Sequence, residues 1–313
     1  MARYVLSRLV SSVVLFLAVT LFVFVAFFAL PRTNGRRSVP SEYRIHGSLG
    51  GAYAHYVWRF VRHGDLGRSY ANREAVTTRL LRATPVTLSL VVGGLFVWLL
   101  IALPLGLLAA LRPRSLLDRA STVFVLVGVS AQPLWFGLVL SWFFGRYLNV
   151  LPAQGYCSIA NLSTGCDGLT GWTTHLLLPW FAFGFLNAAF FTLLVRGLLL
   201  EQLGEEYVRT ARSKGASGVR VVRSHLLKNV ALPLVTMLGL TAATSLAGVI
   251  FIESAFDLPG LGGTLRQATL QRDLPMTAGS IVFLAVAIVL LNLLVDLAYG
   301  VLDPRLRLTS QGA

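Results

Sequence analysis

The chain has 313 residues, of which 55% are hydrophobic and only 13% are charged, and its mean hydropathy is +0.71. Soluble domains carry roughly 25% charged residues, so this composition excludes a soluble domain with a fully charged surface. The net charge of +14 would suit nucleic acid or anionic lipid, yet the arginines lack interleaved aromatic residues that stack on bases. We therefore predict an integral membrane protein that contacts membrane lipid and binds no nucleic acid.

Six windows contain no charged residue, and each exceeds the ~20 residues that a helix needs to cross a ~30 Å hydrocarbon core. They are residues 9–30, 83–111, 120–145, 168–195, 229–252 and 274–295. A seventh window, 147–166, is interpreted as a loop, because lipid would leave its Asn, Gln and Ser side chains unsatisfied. The first window is too long for a signal-peptide core and lacks an A-x-A site, so it is interpreted as an uncleaved span. The predicted fold class is an all-α integral membrane protein with six transmembrane helices.

The distribution of basic residues predicts the orientation. With six spans, the N-terminus, loop 112–119, loop 196–228 and the C-terminus share one side and hold fourteen Lys and Arg residues. The short loops of the other side, 146–173 and 256–273, hold three, so the positive-inside rule places both termini in the cytoplasm. Residues 31–82 conflict with this assignment, because they carry ten arginines on the outer side. Long loops obey the rule weakly, and the orientation is retained.

The predicted extracytoplasmic segment, residues 31–82, is longer than an ordinary connector. Apolar residues recur at helical spacing over residues 52–62, which predicts an amphipathic helix at the outer surface. A second helix is predicted over residues 73–82. The two cysteines, Cys157 and Cys166, lie in one predicted outer loop. They are either free thiols or a disulfide, which an oxidising compartment permits.

The sequence has no site for ATP hydrolysis. A P-loop places Lys directly after Gly, whereas Lys214 follows Ser and Lys228 follows Leu. The middle of each window also lacks the ionisable residues with which ion-coupled transporters bind their ion, which disfavours a secondary transporter.

An enzyme is also disfavoured. Ser130 lies near mid-membrane in the sequence GVSA, and His175 lies at the outer mouth of the next span, so a ~3 Å hydrogen bond between them is not expected. Ser130 is interpreted as a helix-packing residue. The five histidines show no metal-ligand spacing, so neither a metal nor a bound cofactor is predicted.

Residues 205–229, EEYVRTARSKGASGVRVVRSHLLKN, concentrate charge between two apolar windows. Gly215 suits the left-handed residue that ends a first helix, and Ser217 suits the N-cap of a second. The apolar stripes are Leu203, Tyr207 and Ala211 in the first helix and Val219, Val222, Leu226 and Val230 in the second. We predict a helix–glycine–helix that offers an apolar stripe edged by arginines to a cytoplasmic partner. A plain positively charged connector is the alternative.

Motifs spread over nearly the whole chain carry a family resemblance. They are RYVLSRLV at the start, GDLGRSY at 64–70, TPVTLSL at 84–90, QPLWFGLVL at 132–140, ESAFDLPGLGG at 253–263, RDLP at 272–275 and NLLVD...Y...DPR at 292–305. With YVRTARSKGAS in the charged segment, they resemble the B-type membrane subunit of dipeptide and oligopeptide ABC importers. In the E-A-A-x-x-x-G signature of ABC permeases, Arg209, Thr210 and Ala211 stand here before Gly215.

The resemblance implies a permease core at 83–305 after a first span at 1–30 and the outer segment 31–82, with a cytoplasmic tail at 306–313. It implies that residues 201–230 form a coupling loop seated in a cleft of an ATPase. The implied coupling residues are Glu205, Tyr207, Arg209, Thr210, Ala211, Lys214, Gly215, Ser217, His225 and Asn229, and the outer motif supplies Gly64, Asp65, Gly67 and Ser69.

The resemblance also implies the partners and the location. The partners are a homologous C-type permease subunit, two ATP-binding subunits and an extracytoplasmic substrate-binding protein, and the location is the bacterial cytoplasmic (inner) membrane. ATP and Mg would bind to the partner ATPases and not to this chain. Peptide is the expected substrate, with nickel chelate or glutathione as alternatives within the family. A partner-gated channel or a secondary transporter is the alternative from another class.

One departure from the family concerns the sequence after the first span. Family members have a P-G-D-P-like stretch there, whereas this chain has PRTNGRR and an Arg-rich lead-in to GDLG. We hypothesise that Arg36, Arg37 and Arg44 meet an acidic patch on the binding protein.

Overall fold

The computed structural model describes residues 2–29, 48–159, 166, 168–215 and 217–302, and the regular elements among them are helices. The helices are α1 (Ala2–Phe24), α2 (Leu49–His63), α3 (Val76–Leu111), α4 (Leu116–Ser130), α5 (Pro133–Leu140), α6 (Gly168–Leu203), α7 (Glu206–Ser213), α8 (Gly218–Val221), α9 (Leu227–Ala255), α10 (Leu261–Leu270) and α11 (Leu274–Leu302). π-helical segments follow α1 (Val25–Ala29) and α5 (Ser141–Tyr147) and join α8 to α9 (Val222–Leu226). The predicted all-α fold class is confirmed. The arginines 36, 37 and 44 and the tail 306–313 lie outside the described residues.

Five helices in the described part of the chain are long and apolar enough to cross a membrane. They are Leu6–Phe27, Val76–Leu111, Gly168–Leu203, Asn229–Ala255 and Leu274–Val295. The sixth candidate is a broken one, because α4 and the helix Pro133–Tyr147 are bent by 107° against each other. The window predicted at 120–145 is therefore two helices rather than one. Proline lacks an N–H and disfavours helical backbone in the residue before it, and Gln132 is accordingly extended (φ −80°, ψ 129°).

The amphipathic helix predicted over residues 52–62 is present as α2. The Oγ atom of Ser48 caps it by accepting a hydrogen bond from the Gly51 nitrogen at 3.2 Å. The helix ends at Gly64, whose φ of 60° is left-handed. The separate helix predicted over residues 73–82 is wrong, since α3 starts at Val76 and runs unbroken for 36 residues.

The described residues form two compact units, of which the first contains the chain up to Val86 together with Pro259–Leu297. Its core contains Val23, Leu66, Val76, Leu80, Ala83, Leu261, Ala268, Met276, Ala278 and Val282. Asp273 precedes α11 and is only 2% exposed. Its carboxylate accepts hydrogen bonds from the Ser69 hydroxyl, from the Tyr70 nitrogen at 3.1 Å and from the Met276 nitrogen at 3.3 Å. Asp273 thus caps α11 and holds the turn before α3.

The second unit contains Thr87–Leu258. Small residues allow its helices to approach closely, as membrane helices commonly do. A Cβ atom on Gly128 of α4 would overlap the Cβ of Ala189 on α6, and one on Gly137 of α5 would overlap the Cβ of Ala255 on α9. The segment 148–159 contains no helix, as predicted for a loop, and a disulfide joins Cys157 to Cys166 across a Cα–Cα distance of 5.6 Å.

Candidate functional site

The charged segment lies between α6 and α9 and has the predicted helix–glycine–helix form. The first helix is α7, and Gly215 follows it with a φ of +79°. The second helix begins with α8, one residue after Ser217, but it is not a separate element. It continues through the π-helical segment into α9 as one unbroken helix.

Local hydrogen bonds define α7. The Glu205 carbonyl accepts from the Val208 nitrogen at 3.1 Å, which starts the helix, and the Lys214 nitrogen donates to the Thr210 carbonyl at 3.1 Å at its end. The Tyr207 hydroxyl donates to the side chain of Gln202 at 2.9 Å and ties α7 back to the end of α6. Glu206 lies in the first turn, where its negative charge stabilises the helix by interacting with the positive end of the helix dipole.

The described side chains of the predicted apolar stripes, which do not include that of Val219, pack against the membrane helices, and this corrects the prediction that they are offered to a partner. Val208, Val221, Leu226 and Val230 are fully buried. They share one core with the apolar residues Trp98, Ala102, Ala110, Ala188, Phe191, Val195 and Leu199 of α3 and α6. Tyr207 and Ala211 pack against the same core. Burying one Val or Leu side chain contributes about 1.5–3 kcal/mol, so this packing fixes the segment to the membrane helices.

The opposite face of the segment is polar and exposed. It contains Glu205, Glu206, Arg209, Thr210, Ser213, Lys214, Gly215, Ser217, Arg220 and Asn229. Seven of the ten predicted coupling residues are thus among the exposed residues of this face. Tyr207 and Ala211 lie beneath it, and the described side chains do not include that of His225. We call this surface the polar face of the segment.

Sequence reasoning missed the ion pair that ties α4 to α6 beside this segment. Arg196 Nε lies 2.7 Å from Asp118 Oδ1, and Arg196 Nη2 lies 3.1 Å from Asp118 Oδ2. The Arg114 nitrogen also donates to Asp118 Oδ2 at 2.9 Å. An Asp in the first turn of a span and an Arg in the last third of another were its only signals in the sequence.

The outer motif is a compact turn rather than an open site. Asp65 accepts from the Gly67 nitrogen at 2.8 Å and pairs with Arg59. The pKa of Asp65 lies below its usual value of 3.8: burial raises it, but the hydrogen bonds from Arg59 and from the Gly67 N–H lower it by more. Gly64 and Gly67 have φ angles of 60° and 92°, and Ser69 is buried against Asp273.

Other polar groups lie inside the second unit. Glu253 is fully buried, and the Thr87 hydroxyl donates to its Oε1 at 2.6 Å. His175 Nδ1 lies 2.8 Å from the Gly171 carbonyl, and its Nε2 lies 3.9 Å from Cys157 Sγ, so both ring nitrogens point at partners other than Ser130. Among the described residues no group of three or more His, Cys, Asp or Glu side chains could hold a metal ion.

A cavity of about 350 Å³ opens at the break between α4 and α5, and sequence reasoning did not find it. Asn187 of α6 and Thr244 and Ser245 of α9 contribute its polar side chains. Volumes of 300–1,000 Å³ are typical of ligand pockets. The proline after Gln132 and a lone Asn in a charge-free window were the available signals.

Apolar spans, one of them broken, and a polar segment packed on their core define a multi-pass membrane protein. Residues 102–308 match the family described as "Binding-protein-dependent transport system inner membrane component". The chain belongs to this family and is a non-catalytic permease subunit of an ABC importer in the inner membrane. Membership implies a partner permease, an ATPase and a binding protein.

Three proteins that are similar to this chain are named as peptide transport permeases. The chain is 33% identical to the "Dipeptide transport system permease protein DppB" of Escherichia coli K12, over 98% of this chain and 99% of that protein. It is 33% identical to the "Probable peptide ABC transporter permease protein y4tP" of Sinorhizobium fredii, over 98% and 100%. It is 34% identical to the "Di/tripeptide transport system permease protein DppB" of Pseudomonas aeruginosa, over 82% and 80%.

Proposed function

We propose that this chain forms half of the translocation pathway of an importer for di- or oligopeptides. The observation that carries the substrate class is the match, over 98% of the chain, to permeases named for dipeptide and peptide transport. The other half of the pathway is a homologous C-type permease subunit. Two ATP-binding subunits bind ATP and Mg, and a substrate-binding protein delivers the peptide from outside.

The polar face of residues 205–229 is the docking surface for an ATP-binding subunit in this proposal. Its charged and hydroxyl groups are available for directional contacts, while the apolar side of the same helices is packed on α3 and α6. A movement imposed on this face is carried into α9 as a rigid body, because α8, the π-helical segment and α9 are continuous. The motion of the ATPase thereby reaches the spans.

The proposed orientation has both termini in the cytoplasm. The charged segment and the loop 112–119 then lie on the same side as the ATPases, and the disulfide loop lies on the oxidising side. Residues 31–82 face outward with their ten arginines.

Reconstitution tests the function. The chain, a C-type permease, two ATP-binding subunits and the binding protein are placed in liposomes, and uptake of a labelled dipeptide is measured. We expect uptake that requires both the binding protein and ATP hydrolysis. Uptake of nickel chelate or glutathione without dipeptide would contradict the substrate class, and uptake that persists with a hydrolysis-deficient ATPase would contradict the mechanism.

A further inference from the structure

The cavity at the break between α4 and α5 contains polar side chains that are not part of the polar face of residues 205–229. Residues from both sides of the break line it, as do α6 and α9. Its lining includes Gly128, Pro133, Asn187, Thr244, Ser245 and Gly248. No charged residue is among its lining residues, and all of them belong to the second unit.

The break between α4 and α5 puts irregular backbone beside the cavity. The 15 residues of α4 span about 22 Å at 1.5 Å per residue, which is less than a ~30 Å hydrocarbon core. The extended backbone at Ala131 and Gln132 therefore lies within the membrane thickness. Irregular backbone is tolerated there only inside protein or beside a water-filled cavity, and the side chains of Ser130 and Gln132 are exposed.

The hydroxyl groups of α9 present oxygen lone pairs to the cavity. Thr244 Oγ1 donates its proton within its own helix, to the Thr241 carbonyl at 3.0 Å, and Ser245 Oγ likewise donates to that carbonyl at 2.7 Å. Each hydroxyl has only one proton but two acceptor sites. With the protons used on the backbone, both groups act toward the cavity as acceptors.

The amide of Asn187 adds a further acceptor. Its Nδ2 donates to the Phe183 carbonyl at 2.8 Å. A carbonyl only accepts, so this contact assigns the nitrogen and leaves Oδ1 as the oxygen. Within the described chain no hydrogen bond to Oδ1 is present. Asn187 therefore offers a strong acceptor, with one remaining N–H, at the same cavity as Thr244 and Ser245.

We infer that this cavity recognises the N–H donors of the translocated substrate, which in a peptide are the α-ammonium group and the backbone amides. The inference rests on the proposed peptide-import function and deepens it. These uncharged acceptors favour the N–H donors of any peptide, whatever its side chains are. A carboxylate of the substrate would instead be repelled by the oxygen lone pairs. The recognition is therefore independent of sequence.

Matched substitutions on α9 test the acceptor role in the reconstituted importer, with labelled Ala-Phe as the probe. Thr244→Val keeps the branched shape but removes the hydroxyl, and Thr244→Ser keeps the hydroxyl. Thr241→Val is the control, because Thr241 lies on the same helix outside the cavity lining. Asn187→Leu is the independent variant on α6. Co-purification of the partner subunits verifies that each variant assembles.

We expect Thr244→Val and Asn187→Leu each to lower uptake about fivefold or more, the equivalent of one net hydrogen bond. Thr244→Ser and Thr241→Val should stay within about twofold of wild type, which is below that equivalent. If the wild-type importer takes up the dipeptide, and Thr244→Val takes it up as fast as Thr241→Val does, the inference is overturned. The proposed function would then stand. Absence of uptake in the wild-type importer would overturn the proposed function itself.

Discussion

Arg196 of α6 binds Asp118 in the first turn of α4 through two parallel hydrogen bonds, of 2.7 and 3.1 Å. The Asp118 side chain is nearly buried, and a backbone N–H satisfies it further. A two-point guanidinium–carboxylate contact fixes orientation as well as distance. The pair therefore sets how the first half of the broken span lies against α6, next to Val195 and Leu199 of the core beneath the polar face.

Arg196→Ala is expected to lower the melting temperature of the subunit, because it leaves the Asp118 carboxylate without its counter-charge. Thermal denaturation of the purified subunit in detergent measures this. Arg119→Ala is the matched control, since Arg119 is exposed one residue from Asp118, and it should change stability little. Equal stability of the two variants would show that the ion pair does not hold α4.

Gly128→Ala should disrupt the contact between α4 and α6. The added methyl group would overlap the Cβ atom of Ala189, and overpacking of this kind costs about 1–3 kcal/mol. Gly197→Ala, on α6, meets no atom within 4 Å and should be neutral or slightly stabilising. The expected order of melting temperatures is thus Gly197→Ala at or above wild type and Gly128→Ala below it, and the reverse order would contradict the described packing.

Thr87→Val should destabilise the subunit by about 1–3 kcal/mol, because it removes a hydrogen bond to the buried carboxylate of Glu253. Thr87→Ser retains the hydroxyl and should recover most of that loss. Chemical denaturation of the two variants compares them directly. If valine is tolerated as well as serine, the hydroxyl contributes nothing to holding Glu253.

The outer turn should lose stability in acid. The pKa of Asp65 is lowered in the folded chain, so its contribution is present above the unfolded value near 3.8 and is lost as the pH falls through the lower, folded value. Asp65 is 42% exposed, so the effect is small. Proteolysis near Gly64 should be faster in Asp65→Asn than in wild type at pH 7, and the difference should close toward about pH 3, below the usual pKa of 3.8. A difference that widens in acid would contradict the assigned pairing.

Much of the fold could be predicted from the sequence, because a long apolar run in lipid satisfies its own backbone hydrogen bonds by forming a helix. Hydropathy alone places the spans, and helical spacing finds α2 and α7. The break at Gln132 was missed because the hydropathy of the window averages over it, although Pro133 marks the position. The second helix predicted over residues 73–82 failed because apolar periodicity does not show whether two helices are joined.

The candidate site was predicted in part. The left-handed Gly215 follows from local pattern, whereas the coupling role of residues 205–229 stays a prediction. The direction of the apolar stripe was wrong, because a helical wheel shows which residues share a face but not what covers that face. The acceptors of the cavity were missed for a related reason: Asn187, Thr244 and Ser245 are distant in sequence, and only the packing of α6 on α9 brings them together.

The polar face of residues 205–229 is expected to bind the ATPase, and charge reversal on that face tests this directly. Arg209 and Lys214 lie on the polar face, and both are changed to Glu in the full complex, with Arg119→Glu as a control outside the segment. The ATP-binding subunits that co-purify with the permease pair are then quantified. We expect the double variant to remain folded but to lose the ATPases, while the control retains them. Full retention by the double variant would contradict the assignment of the polar face as the docking surface.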